Sequence, residues 1–329
     1  MKAIRIHEYG SADQLRYETV DLPLPKPEEV VIRQHFAGVN FADIYIRNGL
    51  YRGQHTYGTS LPLILGLEGV GTIEAVGSEV QSLKPGMRVG YCLAQGGYAE
   101  HISVEEKKVI QIPDWCPTDQ AAALMLQGAT SHYLTHSLFE LKPGHQCLVH
   151  AGAGGVGQLL IQIAKARGAQ VITTVGSEQK AELVKALGAD HVILYQHQDV
   201  HQEVMELTHG IGVDVVYDSV GKDTIHTSME CLKIRGTCAL FGASSGVVEA
   251  ITPMEMAEAG SIFLTRPHLA HYRQTAAEAQ WRADDLFELL KSQQLQVAID
   301  HVYALSDAAL AHHRLESRSS QGKILLSME

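Results

Sequence analysis

Apolar and polar residues alternate along the chain in two different ways, and the change falls near Pro117. Before it, short apolar runs separated by Gly and Pro predict the strands of a small, irregular β-barrel. These strands are predicted over residues 2–6, 29–38, 69–76, 88–94 and 98–104. Among them, residues 40–48 have helical spacing, with Phe41, Ile44 and Tyr45 on one side.

After Pro117 the pattern predicts a helix capped by Thr118, and then apolar strands that alternate with amphipathic helices. Six strands are predicted, over residues 146–150, 170–175, 191–194, 213–218, 237–241 and 261–265. This arrangement is typical of an α/β fold with a six-stranded, doubly wound parallel sheet. The tail, with helices over 274–292 and from Ser306 and strands over 297–303 and 323–326, has the mixed texture of the first segment. We therefore expect a discontinuous, partly β-barrel catalytic domain, residues 1–124 and 267–329, and a nucleotide-binding domain, residues 125–266.

Composition and charge exclude several function classes. A formal net charge of −11 leaves no basic field for a polyanion, which argues against nucleic acid as a partner. No segment has the length and apolar character of a membrane span, and residues 1–9 have no apolar stretch of the signal-peptide kind. The five cysteines are scattered and contain no C-x-x-C pair, which favours a reducing cytoplasm over a disulfide framework or a structural zinc site.

The strongest chemical signal is the run HAGAGGVG at residues 150–157, in which Gly152, Gly154 and Gly157 form G-x-G-x-x-G. The run follows an apolar strand and opens a helical stretch, the setting in which glycines let a pyrophosphate approach the free N–H groups of a helix N-terminus. A glycine-rich turn that binds nothing is the alternative. The complete βαβ setting favours a bound dinucleotide over that alternative.

The end of the second strand of this sheet predicts which dinucleotide is bound. An NAD site usually has Asp or Glu there, whereas here Gly176 and Ser177 are followed by Lys180 one helical turn later. A hydroxyl and an ammonium suit a 2′-phosphate, so NADPH is favoured. Glu178 would make NADH competitive if it turned inward, but its place in the first turn of a helix is also explained by the helix dipole.

These residues resemble the medium-chain dehydrogenase/reductase superfamily, in which a GroES-like catalytic domain precedes and follows a nucleotide-binding domain. Zinc alcohol dehydrogenases of that superfamily have a Cys ligand, a His ligand and a proton-relay hydroxyl where this chain has Asn40, Leu67 and Ala42. Neither Asn nor Leu replaces a thiolate or an imidazole on zinc. Without a Lewis acid, the acceptor must already be electrophilic, as quinones and activated enones are.

The resemblance narrows to the zinc-independent quinone oxidoreductase (zeta-crystallin-like) branch and covers essentially the whole chain. It depends on residues 40–51 (NFADIYIRNGLY), 151–157 (AGAGGVG), 215–221 (VVYDSVG), 241–246 (FGASSG) and 264–267 (LTRP). One departure is Gln127, where relatives often have Lys. The resemblance implies NADPH-dependent reduction of quinones, by an oxidoreductase without metal, and a homodimer formed through the edge strand near residues 261–265.

The resemblance also implies the site residues. Asn40, Tyr45, Tyr51 and Thr130 would form the catalytic set, with Tyr51 at the mouth of the pocket. The remaining residues would bind NADPH, and they are Phe41, Asp43, Thr130, Tyr133, Gly152, Gly154, Gly155, Val156, Gly157, Gly176, Ser177, Lys180, Tyr195, Ser219, Phe241, Ser244, Pro267 and Arg318. Nothing in the sequence singles out a general acid.

Several other patterns have two interpretations. Tyr45 and Arg47 are either a donor that orients the substrate and a charged clamp on it, or solvated residues of a surface helix. His268, His312 and His313 are interpreted as surface or packing residues. His132 and His136 have a spacing that can bind a metal, but without a nearby carboxylate or thiolate in the motif we expect no metal site. The segment 242–246 approaches a nucleophile elbow, but we expect an irregular run after it, which contains Pro253 and disfavours a hydrolase.

Two rival functions remain. One is an NADPH-dependent reductase of enones or 2-haloacrylates, which would use the same fold and cofactor. The other is a non-catalytic NADPH-binding or structural protein, against which the intact phosphate loop argues.

Overall fold

The computed structural model describes residues 1–53, 57–58 and 60–329, and these divide into two compact units. Unit 1 comprises Met1–Ala129, Arg273–Glu288 and Val297–Glu329, and unit 2 comprises Thr130–Tyr272 and Leu289–Gln296. The unit boundaries lie a few residues from the predicted domain boundaries. The sequence pattern did not indicate that residues 289–296 belong with unit 2.

The strands, numbered along the chain, are β1 Lys2–Ile6, β2 Arg16–Thr19, β3 Glu29–Val39, β4 Leu63–Ile64, β5 Glu68–Val76, β6 Arg88–Cys92, β7 His101–Glu105, β8 Val109–Gln111, β9 Gln146–Val149, β10 Gln170–Val175, β11 His191–Leu194, β12 Val213–Asp218, β13 Leu232–Leu240, β14 Phe263–Thr265, β15 Ile299–Ala304 and β16 Lys323–Ser327. The α-helices are α1 Phe41–Arg47, α2 Thr118–Leu124, α3 Leu126–Tyr133, α4 Gly155–Ala166, α5 Glu178–Ala186, α6 Val200–Leu207, α7 Ile225–Glu230, α8 Pro253–Glu258, α9 Ala276–Lys291 and α10 Ala308–Glu316. Within the described residues, no helix combines the length and the apolar character needed to cross a membrane.

Unit 1 has two sheets, one of three strands in the order β2-β1-β4 and one of seven strands. The larger follows the order β15-β16-β3-β5-β6-β8, and β7 also pairs with β3. Most of its long strand β3 is buried, and Val30 and Ile32, two residues apart on one face of the strand, pack in a core that includes Ile73 and Val89. The last strand, β16, pairs with β3 and places Ile324 opposite Val39. The chain's final segment therefore lies beside Asn40, the residue that follows β3.

Unit 2 contains a six-stranded sheet in the order β11-β10-β9-β12-β13-β14, with every pair of neighbours parallel. The predicted α/β fold with a six-stranded parallel sheet is thus confirmed. The sheet's apolar residues, such as Leu148, Val216 and Cys238, pack against side chains of α6 and α7. Because all strands are parallel, their carboxyl ends and the loops that follow them meet at one edge of the sheet, where such folds bind ligands.

Two expectations about this sheet's second half were wrong. Strand β13 begins at Leu232 and not at Thr237, because Arg235 has a φ of 61° in mid-strand and the Arg-Gly pair resembles a turn in the sequence. The run after residue 246 also contains a helix. Pro253 is the first residue of α8, and Thr252 caps it by accepting a hydrogen bond from the Glu255 N–H while Glu255 bonds back to Thr252.

Candidate functional site

The glycine-rich loop joins β9 to α4 in unit 2. Gly154 caps the N-terminus of α4 with a φ of −74°, so the helix begins within the motif that the sequence singled out. The first N–H groups of a helix have no partner within it, and here they belong to Gly155, Val156 and Gly157. Together with the helix dipole, these groups make the loop suitable for an anion such as a pyrophosphate.

The three glycines of the motif differ in why a side chain is disfavoured at their positions. A Cβ at Gly152 would collide with the Thr173 hydroxyl, and one at Gly157 would collide with the Ala151 carbonyl. At Gly154 the nearest atom to such a Cβ is the Ala151 carbonyl oxygen, 3.3 Å away, which requires only a small adjustment. The fold therefore demands glycine at two positions, whereas at Gly154 the fold itself nearly tolerates a side chain.

Residues of β10 hold this loop in place. The Thr174 carbonyl accepts the Gly152 N–H at 3.1 Å, and the Thr174 hydroxyl accepts the Ala151 N–H at 3.3 Å. The same hydroxyl lies 3.1 Å from His150 Nδ1, whose ring is buried and whose Nε2 has no hydrogen-bond partner among the described residues. Burial lowers the pKa of His150, so the ring is neutral. Thr174 was not predicted from the sequence, because no local pattern indicates that a threonine within a strand binds the glycine-rich loop.

The predicted binding site for the 2′-phosphate lies where β10 ends and α5 begins. Ser177 caps α5 by accepting the Lys180 N–H at 3.4 Å, and Glu178 is exposed in the first turn. A Cβ at Gly176 would lie 2.6 Å from the hydroxyl of Tyr195, so this tyrosine reaches over the glycine from the end of β11. Gly176, Ser177, Lys180 and Tyr195 are therefore neighbours.

Among the other residues of unit 2 that are predicted to bind the cofactor, Thr130 and Tyr133 lie in α3, and the rest lie on the loops after β12, β13 and β14. The Ser244 N–H donates to the Ser219 carbonyl at 3.3 Å, which joins the first two loops, and the Phe241 N–H donates to the Asp218 carbonyl at 2.8 Å. Pro267 is buried beyond β14. Thr130 is 8% exposed, and the ring of Tyr133 is buried and stacks on Tyr272 with centroids 4.5 Å apart. Neighbouring His132 and His136 stack on each other, and His136 Nδ1 lies 3.0 Å from the His132 carbonyl.

In unit 1 the first candidate residue, Asn40, is bound on both sides of its amide. Its Nδ2 donates to Glu68 Oε1 at 2.6 Å and weakly to the Gly38 carbonyl at 3.5 Å, and its Oδ1 accepts from Lys323 Nζ at 2.8 Å. Lys323 also forms an ion pair with Glu68, and both side chains are at most 1% exposed. Because its N–H groups are already engaged, Asn40 acts as a fixed surface and not as a free hydrogen-bond donor. Glu68 and Lys323 were missed in the sequence, since only the pairing of β16 with β3 brings them together.

The aromatic residues of this region form a connected group. The Tyr45 ring lies 6.1 Å from that of Phe41 and meets the Tyr51 ring edge to face at 5.7 Å, and Tyr51 stacks on Tyr57 at 5.2 Å. Tyr45 is 8% exposed, so it is not the solvated surface residue that a polar position on a short helix suggests. Tyr57 was not among the predicted site residues. Such rings offer flat apolar surface next to phenol hydroxyls, which suits a planar acceptor.

Arg47 has neither of the roles that the sequence suggested, whereas His312 has one of its two, that of a packing residue. Arg47 is 2% exposed, donates to both carboxylate oxygens of Glu316 at 2.6 and 3.2 Å, and donates to His312 Nδ1 at 2.9 Å. Arg47 therefore connects α1 to α10 and is neither solvated nor available as a clamp. His312 is fully buried and hydrogen-bonded, and it is not a surface residue. Asp43 is also fully buried, while Arg318 is exposed, with a φ of 56°.

Both units match known families. The model described as "Alcohol dehydrogenase GroES-like domain" matches residues 26–114, and the model described as "Zinc-binding dehydrogenase" matches residues 155–285. A quinone oxidoreductase of Pseudomonas aeruginosa is 42% identical over 99% of both chains, and a 2-haloacrylate reductase of a Burkholderia species is 39% identical over 98% of this chain and 97% of its own. The crystal structure of an Escherichia coli quinone oxidoreductase complexed with NADPH superposes with a TM-score of 0.96 at 39% identity, covering 99% of this chain and 100% of that one.

Proposed function

Because the chain belongs to the quinone oxidoreductases of the medium-chain dehydrogenase/reductase superfamily, we propose that it uses NADPH to reduce quinones without the help of a metal ion. The observation that carries the proposal is the geometry at Gly154. The fold nearly tolerates a side chain there, so the glycine is best explained by a ligand that lies against it. A pyrophosphate on the N-terminus of α4 is the ligand that the free N–H groups favour.

The residues at the end of β10 support NADPH as that dinucleotide. Ser177 and Lys180 would bind the 2′-phosphate beside Tyr195. The Glu178 carboxylate does not indicate an NAD site, because its place at the start of α5 is explained by the helix dipole. When bound, NADPH supplies a hydride. Ser219, Phe241 and Ser244 would line its path along the carboxyl edge of the sheet, and Thr130, Tyr133 and Pro267 would contact its nicotinamide side. In unit 1, Phe41 and Arg318 would complete the binding set.

The protein's own contribution to the reaction would be mainly orientation of the acceptor. Tyr45 and Tyr51 offer ring surface for a flat acceptor, and Asn40, held by Glu68 and Lys323, offers a rigid wall beside them. Asp43 differs from the other proposed cofactor residues. Because Asp43 is fully buried, we propose that it acts on the first turn of α1 and does not touch NADPH.

The positions of the zinc ligands in related alcohol dehydrogenases support a reaction without metal. Asn40 has its amide engaged by Glu68 and Lys323, and Leu67 is a fully buried member of the apolar core that contains Ile46 and Tyr98. Neither side chain has a lone pair of the kind that zinc prefers. An acceptor that is already electrophilic, such as a quinone, needs no Lewis acid.

Steady-state oxidation of NADPH by the purified protein tests the proposal. We expect turnover with benzoquinone and phenanthrenequinone. Turnover confined to an activated alkene such as a 2-haloacrylate would contradict the quinone assignment and favour the alternative, which is supported by the 39% identity to a 2-haloacrylate reductase. No turnover of either class, with NADPH still bound in a fluorescence titration, would favour a non-catalytic role.

The variant Gly154→Ala tests the argument from the geometry at Gly154. A methyl group at this position would intrude where the pyrophosphate lies, so we expect the NADPH dissociation constant to rise about tenfold or more, while the melting temperature changes by only a few degrees. Gly10→Ala is the matched control, since its new Cβ would be similarly close to a neighbour, at 3.1 Å from Gln14, but far from the loop in sequence and in the other unit. Equal NADPH affinity in the two variants would contradict the assignment of the loop.

We further propose that the protein forms a homodimer through β14. This strand is an edge of the parallel sheet. Phe263 on β14 is 62% exposed, and Ile234 on the neighbouring β13 is 73% exposed. An edge strand flanked by exposed apolar side chains can extend its sheet across a twofold axis. The five cysteines are all unpaired and buried, which supports a reducing cytoplasm as the compartment.

A further inference from the structure

A series of buried polar side chains runs through unit 1 from α10 to the first turn of α1. It begins at Glu316, whose carboxylate binds Arg47, and continues through His312 and Tyr98 to Asp43. The Glu316 side chain is 36% exposed, while the other four residues are at most 2% exposed. We call these five residues the α10–α1 network. Buried polar groups of this kind must satisfy each other, so the direction of each hydrogen bond can be worked out.

From Arg47 to Asp43 every hydrogen bond points toward Asp43, whereas Arg47 also donates in the other direction, to Glu316. A guanidinium can only donate, so His312 Nδ1, 2.9 Å from Arg47 Nη1, must be an acceptor without a proton. Burial and the Arg47 charge lower the pKa of His312 to about 3, so the ring is neutral and carries its proton on Nε2. Nε2 then donates to the Tyr98 hydroxyl at 3.1 Å, and that hydroxyl donates to Asp43 Oδ2 at 3.2 Å. The His312 and Tyr98 rings also pack edge to face, with centroids 5.7 Å apart.

Asp43 uses these bonds at the start of α1. The same oxygen, Oδ2, accepts the backbone N–H of Asn40 at 2.8 Å, while the Asp43 N–H donates to the Asn40 carbonyl at 3.1 Å. Asp43 Oδ1 is buried and has no hydrogen-bond partner among the described residues. The backbone N–H of Asn40 is thus bound by one carboxylate oxygen, and the Tyr98 hydroxyl that donates to the same oxygen stabilises its negative charge.

We propose that Tyr98 and His312 are positioning residues for the reaction, because the directed hydrogen bonds that they make keep Asp43 bound to Asn40 and so hold the first turn of α1 in its productive conformation. This inference rests on the proposed function, in which Asn40 and Tyr45 orient the acceptor. Neither Tyr98 nor His312 touches substrate or cofactor in this proposal. Sequence separations of 55 residues between Asp43 and Tyr98 and 214 between Tyr98 and His312 show that only the fold joins them.

The groups around Asp43 predict how this positioning depends on pH. The pKa of Asp43 is raised to about 7, above all by burial and also by the Glu68 carboxylate of β5, against the lowering effects of the Asn40 N–H, of Lys323 of β16 and of the Tyr98 hydroxyl. The other titratable groups nearby are Tyr91 of β6, together with Arg47 and His312 beyond Tyr98. An ionised carboxylate accepts both hydrogen bonds more strongly than a protonated one. We therefore expect kcat/KM for benzoquinone to fall as the pH decreases through about 7.

The test compares Tyr98→Phe with the matched control Tyr91→Phe over this pH range. Both tyrosines are fully buried in unit 1 and donate to a side-chain oxygen, but Tyr91 donates to Gln34 at 2.6 Å and not to Asp43. In Tyr98→Phe the carboxylate loses a donor, so the midpoint of the pH profile should rise by about one pH unit and kcat/KM near neutral pH should fall about tenfold, with kcat changing more than the NADPH dissociation constant. In Tyr91→Phe the midpoint should stay at the wild-type value. Asp43→Asn should abolish the inflection.

A second variant keeps the test valid if Tyr98→Phe does not fold. His312→Phe retains a ring packed on Tyr98 but removes the donor that fixes the direction of the phenol, so the midpoint should move in the same direction by a smaller amount. Identical pH midpoints in wild type, Tyr98→Phe and His312→Phe would overturn the proposal. So would a midpoint that moves as far in Tyr91→Phe as in Tyr98→Phe.

Failure of the proposed function would look different. If the wild type turns over neither quinones nor activated alkenes with NADPH, amide hydrogen exchange of residues 41–47 replaces turnover as the measurement. A pH midpoint of α1 protection that shifts in Tyr98→Phe but not in Tyr91→Phe would then support the positioning role. Equal protection in both variants at every pH would refute it independently of the substrate.

Discussion

The buried ion pair between Glu68 and Lys323 leads to a prediction whose size follows from its contacts. Three donors converge on Glu68, namely Lys323 Nζ, Asn40 Nδ2 at 2.6 Å and the Leu126 N–H at 2.6 Å, and neither charged side chain is more than 1% exposed. Replacing Lys323 by Met keeps a chain of similar shape and removes the charge. Glu68 would then be a buried carboxylate without a counter-ion, which costs about 3–5 kcal/mol.

The free energy of unfolding of unit 1 can be measured selectively, because the protein's two tryptophans, Trp115 and Trp281, both lie in that unit. In urea titrations followed by tryptophan fluorescence, Lys323→Met should lose about 3–5 kcal/mol, with a fall in melting temperature of about 6–20 °C for a domain of this size. The double variant Glu68→Gln/Lys323→Met removes the uncompensated charge but keeps an acceptor for Leu126. It should recover about 2 kcal/mol or more of the loss.

Two results would refute this reasoning. A loss below about 1 kcal/mol in Lys323→Met would mean that water or a conformational change solvates Glu68, so that the site is not dry. A double variant no more stable than the single one would mean that the loss comes from packing of the lysine chain, and that the charge pairing is not its cause.

Three further predictions concern other parts of the molecule. The folded-state pKa of Asp43, about 7, lies above its ordinary 3.8, so the stability that its protonation confers is complete below pH 3.8 and is lost as pH rises to about 7. Wild-type unit 1 should lose up to about 4 kcal/mol over that interval, and Asp43→Asn should not, in urea titrations at several pH values. Lys180→Ala should weaken NADPH binding about tenfold and NADH binding little in fluorescence titrations, and equal effects on the two would contradict the 2′-phosphate assignment. Phe263→Asp should shift the mass measured by light scattering from dimer to monomer, and an unchanged mass would exclude the β14 interface.

The parallel sheet of unit 2 could be predicted because its information is local. Strands β10, β11 and β12 have the bounds that their mainly apolar runs indicated, and in β10 and β12 nearly every residue is buried, as is typical of a parallel sheet covered on both faces. The errors have local causes as well. Pro253 ends a helix in most positions but begins one at the first helical residue, and the Thr252 and Glu255 pair that signals this was overlooked.

The polar residues around α1 could be predicted only in part. The sequence singled out Asn40 and Asp43, but not what binds them, because Glu68, Tyr98 and Lys323 reach them through long-range backbone pairings that no local pattern specifies. Arg47 illustrates the limit. A charged residue on a short helix is usually solvated, and its burial here depends on Glu316, which is 269 residues away.

The pairing of β16 with β3 also has a consequence for biosynthesis. Among the strands of the described residues, 323–327 leave the ribosome last, yet they cover one side of β3 and bring Lys323, the cation that pairs with Glu68. During translation, Thr130–Tyr272 is complete before that strand exists, whereas the amino-terminal segment must wait with an open strand edge and an unneutralised carboxylate. Nascent chains stalled before residue 323 should therefore be digested by protease in the first 129 residues while their nucleotide-binding unit resists.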